Sequence, residues 1–192
     1  MNNCFIILAA GESKRFKSIT PKPYYLYRGK PLFLHSLDKV KESNKFKKII
    51  LVVNNKHRKF LKNIRLKNIK IISGGKNRSA SSLKALKSIK KSKISKVFIH
   101  DAARPNFSLK LISNLFKGLK KNKCVVPVLK TSNSVKLKER NKLKNIDRNK
   151  IYLTQTPQAF DYKTLLNLQK KTTSKITDDA NLFIEANKKV KF

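Results

Sequence analysis

Runs of strand length that are apolar almost throughout alternate along this chain with segments of helical periodicity, and that alternation leaves few folds open. Strands are expected over residues 4–8, 49–53, 69–73, 97–100 and 124–128, and the first, fourth and fifth of these are nearly continuous apolar runs. Such a run keeps no polar face for water, so it suits a central parallel strand covered on both sides. Helices are expected over 32–41, 79–89 and 108–119, with a weaker one over 56–62. In the second of these, Ser82, Leu83, Leu86 and Ile89 recur at spacings of three and four, which gives one face to pack on a sheet. The expected architecture is a three-layer αβα fold around a Rossmann-like, mostly parallel sheet. Right-handed crossovers bring the C-terminal ends of its strands to one edge, where open α/β sheets carry their ligands.

After residue 128 the character changes. Two β-like pieces, 134–138 and 143–146, flank a polar turn at 139–142, and residues 129–150 read as a hairpin arm projecting from the sheet. Helices over 163–170 and 178–186 follow, with a last strand-like piece over 189–192. No repeat or linker-like tract interrupts the 192 residues, and the whole chain, 1–192, is expected to form one domain.

The charge is lopsided: 47 Lys and Arg face 10 Asp and Glu, a formal net charge of +37. The lysines are spread along the whole chain, mostly on presumed solvent faces such as Lys84, Lys87, Lys90 and Lys91, and no DNA- or RNA-binding signature accompanies them. This pattern argues for solvated faces and against nucleic acid as a partner, while the field still draws in polyanions such as a nucleoside triphosphate. No apolar run approaches the roughly 18 residues of a membrane span, so no membrane role is expected. Cys4 and Cys124 lie in apolar runs too far apart for a zinc site or disulfide framework, and the expected location is the cytoplasm.

Three turns carry the chemistry. The first strand empties into Ala9-Ala10-Gly11-Glu12-Ser13-Lys14-Arg15, with Pro21-Lys22-Pro23 shortly after. Small residues there let a backbone approach phosphate oxygens, and Arg15 and Lys22 supply positive charge. An ordinary glycine turn remains the alternative, since neither the P-loop nor the dinucleotide glycine spacing is present. The second turn, Gly74-Gly75-Lys76-Asn77-Arg78-Ser79-Ala80-Ser81-Ser82, reads as a base- or ribose-contacting loop, with Ser79 as a helix cap. In the third, His100-Asp101-Ala102-Ala103-Arg104-Pro105, an Asp ending a buried strand is a natural magnesium ligand, or else a cap for the next turn. His100 reads as a packing or positioning residue. Near the end Thr177 is expected to cap a helix whose positive end Asp178 and Asp179 favour. By pattern alone the reading stops at a phosphate- and metal-binding α/β domain.

Taken in order, Leu-Ala-Ala-Gly…Arg, Pro-Lys, Gly-Gly…Arg…Ser, His100-Asp101-Ala102-Ala103-Arg104-Pro105, Asp147-Arg148, Gln155-Thr156-Pro157-Gln158-Ala159-Phe160 and Thr-Asp-Asp-Ala make a chain that resembles the 2-C-methyl-D-erythritol 4-phosphate cytidylyltransferases of the non-mevalonate isoprenoid pathway, from Phe5 to about Ala186. The resemblance implies a nucleotidyltransferase: CTP donates its cytidylyl group to methylerythritol phosphate, pyrophosphate leaves, and Mg²⁺ assists. It implies that Arg15 and Lys22 are catalytic and stabilise the triphosphate. It places Ala9, Ala10, Gly11, Gly74, Gly75 and Ser81 around the nucleotide, Asp101 on the metal, and Arg104, Ser134 and Arg148 on the acceptor. It further implies a homodimer in which the 129–150 arm reaches the neighbour's acceptor site.

Four departures from the family pattern stand out. Ser13 replaces a glycine, Lys76 replaces a residue that is often acidic, and Asn133-Ser134 stands for Asp-Thr. The family also continues beyond the position of Phe192 with a strand and a helix bearing a phosphate-binding Lys, from which a shortened, weakly active copy with an open sheet edge is expected. A cytidylyltransferase for ribitol phosphate or another sugar-alcohol phosphate is the rival enzyme, and a basic nucleic-acid-binding protein on a retired catalytic fold is the rival non-enzyme.

Overall fold

The computed structural model describes residues 2–13, 16–172 and 178–192. A six-stranded sheet runs through its centre in the order β5-β4-β1-β6-β12-β7, made of β1 (Asn3–Ala9), β4 (Lys48–Val53), β5 (Ile69–Ser73), β6 (Lys96–Asp101), β7 (Cys124–Val125) and β12 (Gln158–Asp161). The first four in that order are parallel neighbours, whereas β12 runs antiparallel to both β6 and β7. Alternation along β1 splits the core in two. Cys4 and Ile6 pack with Leu86 of α2 (Arg78–Lys87), Leu165 of α4 (Tyr162–Lys171) and Phe183 of α5 (Asn181–Glu185). Phe5, Ile7 and Ala9 pack with Phe33 and Leu37 of α1 (Leu32–Glu42) and Ile112 of α3 (Leu109–Gly118). The αβα layering expected from the apolar runs is therefore present, and each fully buried side chain of this size contributes about 1.5–3 kcal/mol.

Several elements differ from expectation. The run over 124–128 is broken: β7 stops at Val125, and β8 (Val128–Lys130) turns away to pair with β11 (Tyr152–Thr154). Pro127 explains the break, because it brings no N–H to a ladder. β12 escaped the pattern reading because Gln158 and Asp161 bracket only two apolar residues. Segment 56–62 is a 3-10 helix, Asn55–Leu61, with no buried residue. The cap of α2 is Asn77, whose Oδ1 accepts the Ala80 N–H at 2.8 Å, so Ser79 is not the cap. The expected helix over 178–186 shrinks to α5, and Asp178 supplies an oxygen to the Asn181 N–H at 3.0 Å. Thr177 lies outside the described residues. The terminal piece makes a single parallel bridge, Lys191 to Val125, on the outer side of β7.

The arm is present as a two-stranded ribbon, β9 (Val135–Glu139) with β10 (Lys142–Ile146), and a small ribbon of β2 (Leu26–Tyr27) and β3 (Lys30–Pro31) precedes α1. Among the described residues, no helix is long and apolar enough to cross a membrane.

Candidate functional site

Because β5, β4, β1 and β6 are parallel, the loops that leave Ser73, Val53, Ala9 and Asp101 gather on one edge of the sheet. Leu8 is in register with Asp101, and the Ala102 N–H donates to the Leu8 carbonyl at 3.0 Å, so the first and third motifs lie side by side. The second motif closes from the other flank, with the Gly74 N–H donating to the Val53 carbonyl at 2.8 Å.

The first loop is uncrowded at its glycine: among the described residues, nothing lies within 4 Å of a Cβ placed on Gly11. Ser13 takes the left-handed conformation, φ 55°, that glycine tolerates best. Its hydroxyl accepts the Lys22 N–H at 3.0 Å, fastening the Pro21–Lys22 turn to the loop, and the Lys22 ammonium lies over the Phe16 ring. Below, the buried Tyr24 hydroxyl donates to the Ala9 carbonyl at 3.1 Å and fixes where β1 ends. Arg15 lies outside the described residues.

The second loop is tight, and its glycines are required by close approach. A Cβ on Gly74 would lie 2.5 Å from the Ala10 Cβ, and one on Gly75 would lie 2.5 Å from the Ala80 Cβ. Ser81 holds the loop from within: its hydroxyl donates to the Asn77 carbonyl at 2.9 Å and accepts the Gly75 N–H at 3.0 Å. The structure thus brings Ala9, Ala10, Gly11, Gly74, Gly75 and Ser81 together, with Ser81 turned inward to shape the backbone.

The third loop is a polar cluster centred on Asp101. Arg78 donates from Nε to Asp101 Oδ1 at 3.1 Å and from Nη1 to Asp179 Oδ2 at 2.6 Å, while Arg104 Nε lies 3.4 Å from Asp101 Oδ2. Asp179 is fully buried and also accepts from Ser82 Oγ and Gln169 Nε2. It is therefore no helix-end charge, contrary to expectation. Burial alone would lower the Arg78 pKa, but Asp179 and then Asp101 outweigh it and push the pKa up. Among the described residues Arg78 Nη2 is buried without a hydrogen-bond partner, leaving one donor open at the cluster. Arg104 also donates to Gln155 Oε1 at 2.9 Å, tying the third loop to the segment before β12.

His100 holds this cluster from the core. It is fully buried, and that burial pushes its pKa down to about 3 against the opposing pull of Asp101. The neutral ring meets Ser36 Oγ at 3.1 Å and Thr156 Oγ1 at 2.9 Å, and Thr156 Oγ1 in turn accepts the Asp101 N–H at 3.3 Å. It packs in the core and braces the strand end before Asp101, within the packing-or-positioning reading of the sequence. Burial raises both cysteine thiols to about 12, which leaves them inert packing groups.

Asp101 fits a magnesium ion. Carboxylate oxygens have lone pairs beyond those turned to Arg78 and Arg104, and Mg²⁺ bound to a triphosphate needs only one or two protein carboxylates. No group of three His, Cys, Asp or Glu side chains among the described residues forms a metal cage of its own.

Ser134 and Arg148 are carried on the arm. Ser134 is exposed just before β9, and Arg148 donates to the Ser132 carbonyl at 2.7 Å, closing the base of the hairpin. The sequence reading missed Arg78 as a site residue. Its signal was its place between the glycine pair and Ser81, but its partner Asp179 lies 101 residues away and could not be paired by inspection.

The family model for 2-C-methyl-D-erythritol 4-phosphate cytidylyltransferase, IspD, matches residues 3–192. A bifunctional enzyme IspD/IspF of Pelagibacter ubique is 60% identical over 191 residues, covering 100% of this chain and 52% of the relative. The 2-C-methyl-D-erythritol 4-phosphate cytidylyltransferase of Clostridium acetobutylicum is 33% identical over 199 residues, covering 98% of this chain and 86% of the relative. Among solved structures, the 4-diphosphocytidyl-2C-methyl-D-erythritol synthase of Anaerococcus prevotii superposes with a TM-score of 0.84 at 28% identity, covering 98% of this chain and 86% of that one. The bifunctional IspDF of Campylobacter jejuni superposes with a TM-score of 0.85 at 29% identity, covering 99% of this chain and 48% of that one. The chain thus spans about half the length of the bifunctional proteins it matches.

Proposed function

The chain belongs to the 2-C-methyl-D-erythritol 4-phosphate cytidylyltransferase family, and on that premise we propose that it transfers the cytidylyl group of CTP to 2-C-methyl-D-erythritol 4-phosphate, in isoprenoid precursor biosynthesis. In this reaction an acceptor phosphate oxygen attacks the α-phosphorus of CTP in line. The new P–O bond forms as the bond to the β-phosphate bridging oxygen breaks, and pyrophosphate departs with the electron pair. No covalent enzyme intermediate is needed, so the protein's work is positioning and charge neutralisation.

The observation that carries the reading is the convergence of a loop uncrowded at its glycine, a tight glycine loop and an arginine-held carboxylate on one edge of a parallel sheet. Ala10 and Gly11 present backbone to the triphosphate while Gly74 and Gly75 wall the nucleotide. Lys22 and Arg15 neutralise charge on the phosphates. Mg²⁺, held by Asp101 together with the triphosphate, would withdraw charge from the reacting phosphate. Arg104 draws in the acceptor phosphate. The arm completes the acceptor site across a homodimer through Ser134 and Arg148, a role supported by the exposed Leu137 and Leu143 on its strands. The proposed location is the cytoplasm, where two free, buried cysteines stay reduced.

The test is pyrophosphate release from CTP and Mg²⁺ with methylerythritol phosphate, using ribitol 5-phosphate as the competing acceptor. Release with methylerythritol phosphate is expected, falling by about 100-fold or more in Lys22→Ala, in line with loss of one transition-state donor. Equal turnover of the wild type and Lys22→Ala would remove Lys22 from the mechanism, and a preference for ribitol 5-phosphate would overturn the acceptor.

A further inference from the structure

Two of the chain's ten acidic residues converge on one guanidinium, at opposite ends. Asp179 forms the inner end. It is fully buried, and besides Arg78 it is gripped by Ser82 at 2.8 Å and by Gln169, which also donates to Ser82 Oγ at 3.0 Å. Asp101 forms the outer end, its side chain 31% exposed at the sheet edge. Between them Arg78 takes one carboxylate on Nε and the other on Nη1, so a planar, rigid group spaces a fixed anchor from an accessible carboxylate. A lysine, with a single nitrogen, could not hold both in this geometry. Two carboxylates against one guanidinium leave a negative charge for a cation, which Arg104, at 3.4 Å and half-exposed, offsets only loosely. The Asp101 backbone is restrained as well, through Thr156 and the buried His100, so the carboxylate is fixed from two directions.

We propose that Arg78 is the positioning residue of this site: anchored on Asp179, it holds the Asp101 carboxylate in the orientation that receives the nucleotide's divalent cation. The proposal rests on the cytidylyltransferase reading of Asp101. It assigns to Arg78 and Asp179 an action through Asp101, separate from any contribution to the fold.

The experiment uses the full chain with Mn²⁺ as the probe, bound in the presence of CTP and followed by electron paramagnetic resonance, with thermal melting of each variant alongside. Arg78→Lys keeps a charge over Asp179 but gives up the second nitrogen, and Asp101→Asn removes the ligand. Each is expected to weaken Mn²⁺ binding with CTP by about tenfold or more, the usual loss when the outer partner of a metal ligand goes. The double variant is expected to bind no more weakly than Asp101→Asn alone. Asp179→Asn, which removes the anchor while leaving Arg78 in place, is expected to show the same non-additivity and serves if Arg78→Lys fails to fold. If Arg78→Lys leaves Mn²⁺ affinity unchanged, or costs the same factor in the Asp101→Asn background, Arg78 does not act through Asp101 and the proposal falls. If instead Asp101→Asn has no effect by itself, the metal role of Asp101 is lost and the proposal goes with it.

Discussion

The edge of the main sheet and the β9–β10 arm hold their candidate residues in opposite ways. At the edge, Asp101 is restrained by Arg78, Arg104 and Thr156, and those contacts lead inward to Asp179 and His100, both fully buried. On the arm the ladder hydrogen bonds are present, but Leu137 is 43% and Leu143 69% exposed, and the cross-strand pair of Lys144 with Glu139 is open to solvent. A two-stranded ribbon without a core is marginal by itself, so its geometry depends on whatever surface it meets. The edge is preorganised by its own domain, and the leucines of the arm are left facing solvent.

The sharpest way to break that contrast is to remove the buried anchor. Asp179→Ala strands the Arg78 guanidinium, largely buried, without its inner partner, and a broken buried pair costs about 3–5 kcal/mol. A large fall in denaturant midpoint or melting temperature is expected. A loss under about 1 kcal/mol would mean that the edge is no more rigidly built than the arm.

Acid sharpens the same contrast at a smaller scale. The charged groups around His100 are Asp101, which favours its protonation, and Arg104, Lys39 and Arg78, which oppose it. In the folded chain its pKa is lowered to about 3 from 6.5, so below pH 6.5 the unfolded state takes up a proton that the folded state refuses. The stabilisation is complete above pH 6.5 and drains away as pH falls towards 3, by at most about 1.4 kcal/mol per pH unit. Unfolding free energies between pH 7 and 5 should show this slope, and His100→Gln should flatten it. An unchanged slope in that variant would place the acid sensitivity elsewhere.

How much of this was legible depended on the range of the interactions. Strands β1, β4 and β6 were visible because runs of that length with so little polar surface favour burial between two layers. The glycine pair and Asp101 were visible because a short turn at a strand end leaves its chemistry in adjacent residues. The break at Pro127 was visible in principle, since a residue without an N–H marks the end of a central strand. β12 was hidden because its end residue Gln158 is polar yet 1% exposed, made tolerable by an Nε2 bond to Asp178 20 residues on. The Arg78–Asp179 pair was hidden for the same reason, as only the folding of α2 against α4 and the segment ahead of α5 brings the two together. Ser81 shows a third case: its position was readable but the direction of its hydroxyl was not.

The mildest perturbation falls on the arm. Leu143 lies on β10 opposite Lys138, with 69% of its surface in water, so Leu143→Asp removes little packing within the chain. Its effect on stability should stay within about 0.5 kcal/mol, the usual range for a surface site. If the arm is the dimer contact, the same substitution puts a carboxylate where a leucine meets the neighbour, and sedimentation should shift from dimer towards monomer with no matching change in melting temperature. Turnover then decides what the arm contributes. Pyrophosphate release that falls with the dimer supports an acceptor site completed by Ser134 and Arg148 of a neighbour. Unchanged sedimentation would take the interface away from Leu143, while full turnover by the monomer would confine the acceptor site to the edge around Arg104. The first result would strip Leu143 of its dimer contact, and the second would keep that contact but separate it from acceptor binding.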